Sequence, residues 1–239
     1  MIYYELSPSQ LEAKANELIL RHNKDRLIKP IDIDVYDIVD MIGCTPDWFY
    51  ITPDQSVLGM TAFHDVAMWS WPEPYYEKGM LPERVNVAKG TIVIDRAIQE
   101  SGNIGRENFT VIHESFHQLL HQKCFKNRGA DYTKMCSKKS FKSDTERRRN
   151  MSAIEIIEYQ ANFCAAAFLM PRQAVGFVLS EFLGYEIKEN GLLEFDTEIS
   201  KAIGLSTKEF GVNYSALKYR LQSLKMIKKE NIKQEDYII

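Results

Sequence analysis

The residues best suited to chemistry lie in one string, Phe109-Thr110-Val111-Ile112-His113-Glu114-Ser115-Phe116-His117-Gln118-Leu119-Leu120-His121, which contains H-E-x-x-H. On a helix, residues four apart project from one face, so His113 and His117 can present both imidazoles to a single ion. Glu114 follows His113 by about a quarter-turn. From there its carboxylate can hydrogen-bond a water held by the ion without ligating the ion itself. Zinc in that position would lower the pKa of the water toward ~7 and polarise a scissile carbonyl. Glu114 would take the water's proton and later pass it to the leaving amine.

A catalytic zinc takes three protein ligands plus water. The candidates for the third are His121, Glu155 and Glu158. His121 lies one further turn along, but a helix rises ~6 Å over four residues, so three histidines at this spacing converge poorly. The spacing also lacks the longer histidine pattern of metzincins. His121 therefore reads as a polar residue near a helix end. The segment Glu155 to Met170 is a second helix, on which Glu155, Glu158 and Asn162 share a face beside the small residues Ala161 and Ala165. A carboxylate on so apolar a helix is costly to bury unless it is paired or metal-bound. The residues alone leave Glu155 and Glu158 both open, with a surface salt bridge for whichever is unused.

Around these motifs the chain reads as α+β, helices about a small sheet. Ser7-Pro8-Ser9 caps an amphipathic helix over about Ser9 to Arg21, and Ile33 to Ile42 is a second helix closed by Gly43. Trp48 to about Ile94 is strand-like, with Val57–Phe63 and Thr91–Ile94 as candidate strands. Trp69-Ser70-Trp71-Pro72-Glu73-Pro74 reads as an irregular loop between them. The H-E-x-x-H helix spans Glu107 to His121. Lys123 to Asn150 lacks periodicity and carries ten Lys/Arg against three Asp/Glu, the pattern of an exposed basic excursion. A long helix from about Ser152 to Met170 stops at Pro171, and the tail from Phe195 is again helical. The expected division is a catalytic domain over 1–185, including the excursion at 123–150, and a helical extension over 186–239.

Taken together, F-T-V-I-H-E-S-F-H-Q-L-L-H, preceded by G-T-I-V-I-D and followed by E-Y-Q-A-N-F-C-A-A-A-F-L-M-P, resembles the ImmA/IrrE metallopeptidases over roughly Pro30 to Pro171. The resemblance implies a zincin-like core, zinc as the metal, and cleavage of helix-turn-helix repressors that control mobile elements, phage genes or stress responses. The family's histidine ligands fall on His113 and His117, and its catalytic glutamate on Glu114. Its E-x-x-A-N signature carries the third ligand to Glu158, a gluzincin-like set. The chain departs from the family in carrying Ser115-Phe116 where Leu-Gly is usual, and in the length of the 123–150 excursion.

Composition narrows the rest. A net charge of −3 gives no global argument for nucleic-acid or membrane binding. Four widely spaced cysteines without C-x-x-C argue against a disulfide framework or a thiolate zinc site. With no signal-like N-terminus and no apolar run of ~18 residues, a cytoplasmic location is expected. Phe210-Gly211-Val212-Asn213 resembles the turn of a helix-turn-helix, with Tyr214 to Leu224 as the following helix, and Lys218, Arg220 and Lys225 could meet phosphates. A helical cap is preferred over a DNA contact there. The alternative to a repressor-cleaving endopeptidase is a non-catalytic DNA- or partner-binding regulator on the same scaffold. Tyr132, Tyr159 and Tyr185 are candidate oxyanion donors, and Asp95 is a candidate for orienting a ligand histidine.

Overall fold

The computed structural model describes residues 4–72, 80–125, 151–187 and 192–228, and the backbone of 134–137. The fold is α+β with a small mixed sheet and several helices. Contacts divide the chain into two units, Met1–Leu6 with Asp34–Asn162, and Ser7–Ile33 with Phe163–Ile239. This division runs through a helix at Asn162.

The centre of the first unit is β5 (Thr91–Asp95), buried at every position. It is a β-branched run launched by Gly90, whose φ of 86° suits glycine. β5 pairs parallel with β1 (Thr45–Phe49) and antiparallel with β2 (Val57–Thr61). On its other side β2 pairs antiparallel with β6 (Lys134–Ser137), giving the order β1-β5-β2-β6. Residues 134–137 of the expected basic excursion therefore form a strand; 126–133 and 138–150 lie outside the described residues.

Strands β3 (Val66–Ser70) and β4 (Glu83–Val87) form a separate antiparallel pair. The loop expected from Trp69 onward is thus corrected: Trp69 and Ser70 are strand residues. The reason is alternation, since Met68 is buried while Trp69 is 60% exposed. Met68 and Val87 join Ile51, Met60, Ala62 and Val93 in one apolar cluster, so both sheets share that core.

The other face of β2 carries Gly59 and Thr61, two residues apart and hence on one side of the strand. Against it packs α4 (Ile104–Phe125), longer at both ends than the expected helix. Asn103 accepts from the amide of Arg106 at its start. α2 (Val35–Met41), capped by Asp34, packs on α4 as well. α3 (Arg96–Glu100) is capped by Asp95.

α5 (Ala153–Leu169) begins in the first unit and ends in the second. The second unit contains α1 (Pro8–His22), closed by a reciprocal Ser7/Gln10 cap. It also holds α6 (Arg172–Leu183), α7 (Thr197–Phe210) and α8 (Tyr214–Ser223). Gly211, at φ 56°, ends α7 and makes the expected turn. Arg220 is buried, its guanidinium 3.0 and 2.5 Å from the two Glu12 carboxylate oxygens, and it donates from Nε to the Met170 carbonyl. Lys218 sits over the Phe195 ring. Arg220 became structural because a guanidinium satisfies a carboxylate and a helix-end carbonyl together. Among the described residues no single helix is long and apolar enough to cross a membrane.

Candidate metal centre

α4 carries His113, Glu114, His117 and His121, all buried, and α5 faces them with Glu158, Gln160 and Asn162, also buried. All these residues belong to the first unit. So polar an assembly is stable in the interior only if its members satisfy one another.

The Nε2 atoms of His113 and His117 lie 2.9 Å apart. One carboxylate oxygen of Glu158 is 3.1 Å from His117 Nε2, and the other 3.5 Å from His113 Nε2. On the far side of its ring, His113 Nδ1 is 2.9 Å from Asn162 Oδ1. An amide oxygen only accepts, so His113 Nδ1 donates and its Nε2 turns a lone pair toward His117 and Glu158. This group of two imidazoles and a carboxylate, with its donor atoms all within 4.8 Å, could hold a metal ion.

Glu155, the other carboxylate left open by the sequence, is exposed and accepts from the amide and hydroxyl of Ser152 at the start of α5. The Ser152 hydroxyl in turn accepts from the Glu155 amide. The spacing S-x-x-E ahead of an apolar run is the capping-box signal, and it could have assigned Glu155 to the helix end from the sequence. His121 lies behind His117, with Nδ1 atoms 3.0 Å apart, and its Nε2 is 3.0 Å from Gln160 Oε1. Burial and the neighbouring His117 push the His121 pKa down to about 3.

Glu114 is held from β2. Thr61 Oγ1 lies 2.6 Å from Glu114 Oε2 and 3.0 Å from the Glu114 carbonyl oxygen. A Cβ on Gly59 would come within 2.7 Å of Thr110 Cγ2 and 3.1 Å of Glu114 Cγ. Only glycine admits the helix at this distance. Gly59 and Thr61 went unread as site residues, although a glycine inside an apolar strand signals close approach of another backbone or side chain.

Other expectations resolve differently. Asp95 caps α3 through Ala97 and accepts from the amide of Ile51, and the Nδ1 partners found for the two histidines are Asn162 and His121. A strand-end aspartate two residues before a helix amide is used as a cap. Tyr159 is half-buried beside Glu158 on α5, Tyr185 is exposed in the second unit, and Tyr132 lies outside the described residues. No protein-family model matches the chain, and no curated protein matches it.

Proposed function

We propose that the chain is a zinc-dependent endopeptidase of the ImmA/IrrE type, with a zincin-like first unit, acting in the cytoplasm on a helix-turn-helix repressor. The observation that carries the reading is the convergence, at 2.9 to 3.5 Å, of the Glu158 carboxylate of α5 with His113 Nε2 and His117 Nε2 of α4, the helix that also bears Glu114. A tetrahedral zinc with bonds of about 2.0–2.1 Å spaces its donors about 3.3 Å apart, so the donor atoms lie within a few tenths of an ångström of that spacing and the two imidazoles need only spread slightly to take the ion. Its chemistry fits too, since neutral imidazole and carboxylate are zinc donors and together they leave a fourth position open. Bound there, zinc would supply a Lewis acid that acidifies water and polarises a peptide carbonyl.

The chain's own groups supply the rest. Glu114 takes a proton from the attacking water and returns it to the departing amine. Thr61 suits both states of that carboxyl. With Glu114 ionised, the hydroxyl donates to Oε2; with Glu114 protonated, the carboxyl donates to Oγ1 and the hydroxyl hydrogen turns to the Glu114 carbonyl oxygen. Asn162 keeps the proton of His113 on Nδ1, which turns the Nε2 lone pair toward the metal position.

The regulator reading, with DNA contact through α8, draws less support because Arg220 is occupied by Glu12 and Met170. The test compares zinc-loaded wild type with Glu114→Gln on a lysate of source cells, reading new protein termini by mass spectrometry. The expected result is a new terminus in a DNA-binding repressor with wild type, and a loss on the order of 10²–10⁴-fold with the variant. Identical termini in both samples would sink the peptidase reading.

A further inference from the structure

We propose that His121 and Gln160 are positioning residues that fix which nitrogen of His117 carries its proton, so that Nε2 is presented bare toward the metal position. The proposal rests on the zinc reading for its purpose and on hydrogen-bond order for its content.

The order follows from one unambiguous end. Gln160 Nε2 is 2.8 Å from the Tyr4 carbonyl oxygen, which can only accept. The amide nitrogen of Gln160 must face Tyr4, and its Oε1 therefore faces His121. Oε1 also only accepts, so the proton of His121 sits on Nε2, the atom 3.0 Å away. A buried imidazole between two such neighbours holds one proton rather than two. His121 Nδ1 is then a lone pair, and it lies 3.0 Å from His117 Nδ1. The contact is a hydrogen bond only if His117 Nδ1 donates. His117 Nε2 is left bare, facing Glu158 and His113.

The two ligand histidines are thus oriented by different means. His113 uses a single amide oxygen, whereas His117 uses a relay of His121, Gln160 and the Tyr4 carbonyl. This gives the third histidine of the helix a task that ligation does not, since its ring stands against Nδ1 of His117, away from the atom aimed at Glu158. It also gives the residue before Ala161-Asn162 a role that an apolar side chain of the same size cannot fill. Reversing any member of the relay would place a proton on His117 Nε2 and block that position.

Long-range proton–nitrogen correlation spectra of the ¹⁵N-labelled full chain read these protons directly, with and without zinc. The expected pattern in the zinc-loaded sample is His121 protonated on Nε2 with a bare Nδ1, and His117 protonated on Nδ1. Gln160→Leu, checked for retained helix content, is expected to lose the single His121 tautomer and to weaken zinc binding by roughly 10- to 100-fold. His121→Phe gives a second route to the same weakening. A His121 that carries its proton on Nδ1 while zinc still binds would overturn the relay and leave the metal reading standing. Unchanged zinc affinity in both variants would overturn it as well. A wild type with the expected tautomers that takes up no zinc would overturn the metal reading, and with it the relay's purpose.

Discussion

Glu114 and Glu158 are carboxylates on facing helices that reach the same region with different duties, and their surroundings separate them. Glu158 lies against two imidazole nitrogens, and in the proposed reading it is the metal ligand; Glu114 is hydrogen-bonded by Thr61, and in that reading it carries the proton. Thr61→Val is expected to leave zinc content unchanged and to lower turnover roughly 10- to 100-fold, the worth of one charge-assisted hydrogen bond. Kinetics beside elemental analysis checks this, and loss of metal in the variant would contradict it. Asn162→Ala is expected to weaken zinc binding by roughly 10- to 100-fold, measured by competition with a chelator. At this scale the sequence was most legible where one helix carries the whole signal, as with His113, Glu114 and His117. Glu158 needed the family resemblance, because Glu155 shares its helix face and only the Ser152 cap tells them apart. Thr61, Gln160 and the Tyr4 carbonyl were not legible, since their partners are distant in the chain and no local spacing encodes them.

Among the elements, the contact of α4 with β2 decides where Glu114 stands. Gly59 makes that contact close, and Gly59→Ala would force Thr110 and the Glu114 side chain aside. The variant is expected to lose about 1–3 kcal/mol of stability, read from the denaturant midpoint, together with activity. A variant as stable and active as wild type would show that the helix gives way without cost. The helices were largely readable from caps and apolar spacing, α1 and α2 to within about two residues. The strands were harder. β5 announces itself by a β-branched run, while β1 contains Pro46 and Asp47 and is held by its parallel neighbour rather than by propensity. β3 was hidden by the Trp-Ser-Trp-Pro run, whose exposed Trp69 is the outward residue of an alternating strand.

On the scale of the whole molecule, the site lies entirely within the first unit, and the second unit has its own polar core in Arg220, Glu12 and the Met170 carbonyl. Cys164 there is fully buried and half-way through α5; burial, with Glu12 nearby, pushes its thiol well above the ordinary value of 9.0. The folded chain keeps a proton that the unfolded chain gives up, so this thiol's contribution to stability is whole below pH 9 and declines as pH rises beyond it. Thiol labelling at pH 8 should accordingly spare Cys164 until the chain unfolds, and its modification in native protein would contradict the packing described. The most direct test of the central claim is the zinc content of purified wild type beside His113→Ala and Glu158→Ala, each supplied with the metal. The account predicts about one zinc per chain in wild type and its loss in both variants. Zinc retained in Glu158→Ala, or no zinc in wild type, would contradict it.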